Sequence, residues 1–218
     1  MTPPRRSTLG NLPPRDELPA PQGLHPVIVT DRFVLRPFTL ADADALWPWI
    51  GQPEFSRYMS FAPHADRDAT VAAITAWISQ GQAGAACIWA VCEAGVVIGC
   101  ALLFDVRGVR GACRYNAAEL GYWVLPPHAG RGVATEAARA ALAVAFDQLG
   151  LHKVVAACVP ENLASIRVLE HLGMRRTGHQ RDDFFRDDRW WDLLRFELTR
   201  AEWSAAGPGP ATLDLELR

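Results

Sequence analysis

The segment Gly121-Tyr122-Trp123-Val124-Leu125-Pro126-Pro127-His128-Ala129-Gly130-Arg131-Gly132-Val133-Ala134-Thr135-Glu136-Ala137 carries the densest chemical signal in the chain. An apolar run stops at two prolines, a glycine turn follows, and a helix-forming stretch opens at once. Glycine lets a backbone approach a ligand closely, and the first N–H groups of a helix have no intrahelical partner. Those groups sit at the positive end of the helix dipole, so strand, turn and helix together read as an anion site, to which Arg131 adds a charge. The ligand group that suits it is a phosphate or pyrophosphate. A plain turn would account for Gly130 and Gly132 just as simply.

Other nucleotide loops fail on these residues. The pattern G-x-x-x-x-G-K-[ST] is absent. Gly130-x-Gly132-x-x-Thr135 comes within one position of the dinucleotide fingerprint. That motif also wants an acidic residue near the end of the next strand, and Lys153–Val159 offers none before Glu161. No G-x-S-x-G elbow or Cys–His pairing marks a covalent nucleophile. The five cysteines, Cys87, Cys92, Cys100, Cys113 and Cys158, form no C-x-x-C pair. They read as small buried hydrophobes in a reducing compartment, with no metal site.

The elements that must position this loop follow from periodicity. Asp31 to Pro37 reads as a strand with Phe33 and Leu35 on one side, and Thr39 or Asp42 caps a helix through Leu46 and Trp49. Asp68 to Gln80 is a second helix, with Val71, Ile74 and Ile78 on one face. Cys87–Glu93 and Val96–Asp105 form a hairpin about Ala94-Gly95. The strand Ala118–Leu125 then feeds a long helix, Arg131 to Leu149, in which Val133, Ala137, Ala141, Ala145 and Leu149 fall four apart. A strand at Lys153–Val159, a helix at Asn162–Leu172 and two strands around Met174–Arg181 and Trp190–Leu198 complete the order. The crossover from Leu120 to Lys153–Val159 is expected to be parallel and right-handed. The result is an α/β domain of three layers, a mixed sheet with helices on both faces.

Composition sets the outer limits. The chain has 218 residues, 50% hydrophobic and 21% charged, with a formal net charge of −2. That predicts one compact domain and no nucleic-acid partner bound through a broad basic surface. No run of ~18 apolar residues predicts a membrane span, and Met1 to Gly23 has no apolar core of a secretory signal, so a cytoplasmic protein is expected. Residues 1–26, with seven prolines, read as a disordered leader, 27–204 as the domain, and 205–218 as a flexible tail.

Taken with these elements, Ala129-x-x-Gly132-x-Ala134 resembles the acyl-CoA motif Q/R-x-x-G-x-G/A of the GNAT N-acetyltransferase superfamily. The resemblance extends over about residues 27–204. It takes in Asp31-Arg32-Phe33-Val34-Leu35-Arg36-Pro37, Glu119-Leu120-Gly121-Tyr122-Trp123, Asn162-x-x-Ser165-x-x-x-Leu169-x-x-x-Gly173-Met174 and Trp191-Asp192. This set is similar to the RimJ/RimL-like branch of ribosomal-protein N-terminal acetyltransferases. It implies a GNAT-type domain with a mostly antiparallel twisted sheet, and acetyl-CoA as co-substrate with no metal. Two positions depart from the pattern. Ala129 stands where Gln or Arg is usual, removing a side-chain contact. Leu169 stands where many such enzymes carry a tyrosine that protonates the leaving thiolate. In the matching branch a serine three residues after the asparagine takes that part, which points to Ser165.

Acyl transfer from a thioester to an amine needs a neutral amine, donors for the oxyanion, a proton or hydrogen bond for the thiolate, and both substrates held in line. By these demands Glu119 is the candidate base, through water, and a solvated strand carboxylate is its plain alternative. Asn162 suits a pantetheine amide, a helix N-cap, or both. Ser165 shares its helix face and either reaches the sulfur or bonds within the first turn. Backbone N–H groups of strand 120–125 are the candidate oxyanion donors. The expected cofactor contacts are Tyr122, Trp123 and Val124 on the strand, and Ala129, Gly130, Arg131, Gly132, Val133, Ala134 and Thr135 around the turn. Asn162 and Ser165 join them from the next helix. Tyr122 and Trp123 alternate sides, one toward the cleft and the other toward the core. His128 and His152 read as surface residues.

The acceptor pocket is expected between Trp47–Phe61, the hairpin near Asp105–Arg114 and the Arg181–Trp191 hairpin. Trp49, Phe55, Tyr58, Phe61, Phe184 and Phe185 are either its lining or core, and Asp182 or Asp183 would attract a cationic amine. The expected activity is direct acetyl transfer to a primary amine, of a protein N-terminus or a small molecule, by a monomer or homodimer. The rival readings are a catalytically silent acyl-CoA-binding module and a dinucleotide-dependent oxidoreductase.

Overall fold

The structure is a computed structural model that describes residues 26–110, 113–207 and 214–216. Residues 1–25 of the expected leader, and 208–213 and 217–218 of the expected tail, lie outside it. Among the described residues nine strands form one sheet: β1 (Val27–Val29), β2 (Val34–Pro37), β3 (Cys87–Glu93), β4 (Val96–Arg110), β5 (Cys113–Val124), β6 (Lys153–Cys158), β7 (Arg175–Arg186), β8 (Arg189–Thr199) and β9 (Asp214–Glu216). Their spatial order is β7-β8-β6-β5-β4-β3-β2-β1-β9. Every neighbouring pair is antiparallel except β5 with β6, which is parallel. The helices are α1 (Ala43–Ile50), α2 (Pro53–Ser56), α3 (Arg67–Gln82), α4 (Val133–Ala143), α5 (Leu163–His171) and α6 (Arg200–Ala206).

Strand alternation sorts the side chains into two cores. Leu35, Trp89, Leu103, Ala118 and Leu120 join Ala137, Ala141 and Leu142 of α4 and Leu169 of α5 on one face. Phe38, Ile88, Ala90, Cys100 and Trp123 join Leu46 and Ile50 of α1, Phe55 of α2 and Ile74 of α3 on the other. The alanines of α4 allow it to lie close on the sheet, and Trp89 and Phe146 fill the space beside them, both fully buried. Each large apolar side chain so buried contributes ~1.5–3 kcal/mol against the entropy of ordering the chain.

Most elements stand where periodicity places them. Phe33 and Leu35 are both buried, and Ala94 and Gly95 turn the β3–β4 hairpin with positive φ. The Asp42 carboxylate accepts from Thr39 N–H at 2.8 Å and from the Arg36 guanidinium at 2.7 and 2.8 Å, fixing the entry to α1. Two differences concern the long helix. It starts at Val133, after Gly132 in the left-handed region, and its last turn, Val144–Gln148, is π-helical. Four elements were not expected: β1, α2, α6 and β9, the last lying within the expected tail and pairing with β1. All are short, and none carries enough residues for a period to show.

Candidate functional site

The sheet opens in its middle. β5 and β6 are registered only from Ala117–Lys153 to Glu119–Val155. Beyond that, β5 runs on to Val124 beside β4, and β6 runs on to Cys158 beside β8. The two strands part, and polar groups of β5 are left without a neighbouring strand. Leu125 N–H donates to Ile98 O at 2.8 Å. By the two-residue repeat of an antiparallel ladder, Trp123 also addresses β4, while the N–H groups of Tyr122 and Val124 face the gap.

One end of the gap is closed by the glycine turn. Gly130 and Gly132 have φ of 72° and 77°, which L side chains rarely adopt, and a Cβ built on Gly130 would meet nothing within 4 Å. Gly132 is the N-cap of α4 and offers no side chain, so Val133, Ala134 and Thr135 direct their N–H groups out of the helix end. The first backbone bond of the helix is Glu136 N–H to Gly132 O. Open space, left-handed glycines and unpartnered N–H groups are what a pyrophosphate needs.

The charges around this turn are paired. Arg131, expected as a mobile cation, binds Glu93 of the β3–β4 hairpin through both guanidinium nitrogens at 2.7 and 3.1 Å, and stands 3.1 Å from His128 Nδ1. That pairing holds the Glu93 carboxyl below its ordinary range. Arg32 is a site residue that sequence reasoning missed. Its guanidinium binds Glu136 at 2.6 and 2.7 Å and donates to Arg131 O at 2.9 Å, and a Cβ on Gly132 would lie 3.4 Å from its Nη2. Thr30 Oγ1 donates to the same Glu136 at 2.6 Å. No spacing relates Arg32 to a turn so far along the chain, so the sequence held no signal for it.

Across the gap, Asn162 caps α5, its Oδ1 accepting from Ser165 N–H at 3.1 Å. The expected capping role is therefore present. Ser165 Oγ lies 2.9 Å from the Tyr122 phenol oxygen, and the phenol donates to Ser165 O at 3.1 Å. Of the alternating pair, Tyr122 thus turns to the gap. Trp123 turns to the other core, with rings of Phe55 at 5.6 Å and Trp77 at 6.3 Å, so its side chain is not a cofactor contact. Ala129 presents no polar side chain, and Leu169 is buried in the core, beyond any donor role.

Glu119 is the last residue of β5 paired with β6, at the point where the strands separate. Alternation puts its side chain on the face of Trp123, opposite Tyr122 and Ser165. Burial pushes its carboxyl up, with Asp105 adding to the rise and Arg195 and Arg107 opposing it. Arg195 Nη1 is 3.8 Å away. The same face is roofed by the β7–β8 hairpin. Arg186 donates to the carbonyls of Arg57 and Met59 beyond α2, and Trp191 packs edge-on to Tyr58 and parallel to Phe184. The three segments expected around an acceptor include these two, which the fold brings together. Phe55 is core, whereas Phe185 is exposed.

Cys87, Cys92, Cys100 and Cys158 are buried, and burial pushes the Cys87 thiol up to about 11. Among the described residues no helix is long and apolar enough to cross a membrane.

Comparison with known proteins follows the same outline. Residues 32–175 match the family model described as an acetyltransferase (GNAT) domain. The uncharacterized N-acetyltransferase p20 of Bacillus licheniformis is 32% identical over 188 residues, covering 81% of this chain and 98% of that protein. The uncharacterized N-acetyltransferase YnaD of Bacillus subtilis (strain 168) is 26% identical over 179 residues, covering 81% of this chain and 99% of its own length. Among solved structures, Mycobacterium smegmatis RimJ in complex with CoA-disulfide superposes with a TM-score of 0.71 at 23% identity, over 84% of this chain and 98% of that one. At that identity the likeness is one of fold.

Proposed function

Since the chain belongs to the GNAT acetyltransferase family and is an N-acetyltransferase, we propose that it takes acetyl-CoA as donor and transfers acetyl directly to a primary amine in a ternary complex. The acceptor is the α-amine of a protein N-terminus or a small-molecule amine. The observation that carries this reading is the gap between β5 and β6, with the glycine turn at one end and candidate acid–base groups on opposite faces.

On this reading acetyl-CoA supplies a reactive thioester, and the protein binds, orients and moves protons. The N–H groups of Val133, Ala134 and Thr135 hold the pyrophosphate, helped by the dipole of α4. Arg131 leaves Glu93 or shares it when that anion arrives. The backbone N–H groups of Tyr122 and Val124 hold the pantetheine arm and acyl oxygen in place of the missing strand, and Asn162 offers its amide nitrogen. Ser165 serves the leaving sulfur. Glu119, from the other face, removes a proton from the incoming ammonium through water, and burial strengthens it as a base by pushing its carboxyl above the ordinary range. The amine enters between α2 and the β7–β8 hairpin, where Asp182 and Asp183 favour a cation. No covalent acyl-enzyme is required, and the transferase unit begins at about residue 27 and includes α6 and β9 with the rest of the sheet, acting in the cytoplasm.

Calorimetric titration with acetyl-CoA, with NADH and ATP as controls, tests the cofactor. Micromolar binding of acetyl-CoA alone is expected. Initial rates with a panel of amines and N-terminal peptides then test the mechanism. Intersecting double-reciprocal lines are expected, whereas parallel lines with a trapped acyl-enzyme overturn direct transfer. Tight binding without turnover across the panel would identify a silent acyl-CoA-binding module instead.

A further inference from the structure

Tyr122 joins β5 to α5 at the open part of the sheet. Its strand has left β6, and its phenol reaches across to α5, 2.9 Å from Ser165 Oγ and 3.1 Å from Ser165 O. A phenol has one proton to donate and here has two acceptors in reach, so rotation about its C–O bond moves that proton from one to the other without backbone motion. When the phenol donates to the carbonyl, the serine proton turns to the phenol oxygen. When it donates to Oγ, the serine proton is released into the gap.

We propose that Tyr122 is a positioning residue for the leaving group, turning the Ser165 O–H toward the sulfur of the acyl donor and reinforcing it, so that two hydroxyls in series stabilise the charge arriving there. This inference rests on the acetyl-CoA reading of the site. During transfer the amine nitrogen bonds to the acyl carbon, the C–S bond breaks, and its electron pair leaves with sulfur. Two protons leave the nitrogen, one from the ammonium before attack and one from the tetrahedral adduct, both passing by way of Glu119 and water on the opposite face. Neither hydroxyl surrenders its proton. Burial pushes the Tyr122 phenol well above its usual range, and a thiol titrates near about 8.5, so protonating a thiolate from that phenol runs uphill. The pair acts by hydrogen bonding, strengthened because each bond polarises the next, and the thiolate collects its proton from water on release.

Titrating wild type, Tyr122→Phe, Ser165→Ala and Ser165→Thr with coenzyme A and with desulfo-coenzyme A reads the sulfur contact directly. At about pH 9, where a free thiol is largely ionised, wild type is expected to prefer coenzyme A by roughly tenfold, the scale of one hydrogen bond to a charged group. Tyr122→Phe and Ser165→Ala each lose most of that preference yet keep the desulfo affinity, and Ser165→Thr, which retains a hydroxyl, preserves it. In turnover, Tyr122→Phe lowers kcat with KM for acetyl-CoA unchanged. A Tyr122→Phe variant that keeps full discrimination, or that loses affinity for both ligands equally, overturns the positioning role and leaves the site reading standing. Failure of wild type to bind either ligand overturns the reading beneath it.

Discussion

Glu119 holds a carboxylate where a carboxylate is disfavoured. Burial and Asp105 raise its pKa, and Arg195 and Arg107 offset only part of the rise. A folded-state pKa above the unfolded one means that folding favours the protonated acid. The penalty is absent below the unfolded pKa and complete above the folded one. Glu119→Gln is therefore expected to raise Tm at neutral pH and not in acid, while lowering kcat and abolishing the acid limb of kcat/KM against pH. Thermal melts at two pH values and initial rates check this, and a variant with unaltered kcat would return Glu119 to a role in ion pairing. Stability gained as activity falls marks a residue kept for chemistry. The residue type at this position was legible in the sequence. Its half-burial was not, because that depends on where β6 stops accompanying β5.

The turn and α4 act as one element. Glu136, at the first helical turn, collects Thr30 Oγ1, the Arg32 amide and the Arg32 guanidinium, and so ties the β1–β2 connection to the anion end of the helix. Those bonds anchor the N-terminal turn of the helix to the β1–β2 connection. Gly132→Asp places a carboxylate among the N–H groups of Val133, Ala134 and Thr135. It is expected to abolish acetyl-CoA binding in calorimetry while the far-UV dichroism stays native. The left-handed φ of 77° adds strain of ~1–2 kcal/mol, which lowers Tm by a few degrees. Unchanged affinity would remove the turn from the cofactor site. The strand–turn–helix order was legible from Pro126, Gly130, Gly132 and the four-residue spacing of Val133, Ala137 and Ala141. Arg131 is the exception. Its charge was legible, but its pairing with Glu93 comes from a hairpin far away in the chain.

For the molecule as a whole, the division of labour follows the two faces of the sheet. Tyr122 and Ser165 share a face with α4 and α5, and Glu119 shares the other with α1 to α3 and the β7–β8 hairpin. The gap connects them, so donor and acceptor would meet through the sheet from opposite sides. Arg186 fastens the hairpin to the carbonyls of Arg57 and Met59, and Arg189 lies over the Trp191 ring at 3.3 Å. Arg186→Ala is expected to raise KM for the amine several-fold while the Kd for acetyl-CoA stays put, because the fastening lies on the acceptor face alone. Kinetics with the amine varied, paired with calorimetry, separates the two. An equal loss on both sides would mean that the hairpin supports the whole domain.

What the residues alone determined is what local physics controls. Alternation at Phe33 and Leu35, the four-residue period of α4, the capping oxygen of Asn162 and the glycine turn all act within a few residues of chain, and each appears in the structure where its pattern stands. Tertiary structure decided what depends on distant partners. It chose Tyr122 over Trp123 for the gap, paired Arg131 with Glu93, and brought Arg32 to Gly132 and Arg186 to Arg57. It also opened β5 from β6 just past Glu119. A strand's pleat says that neighbours face opposite ways but not which face meets which helix, and a charge states its sign but not its partner. Those choices are made only when the two cores close on either side of the sheet.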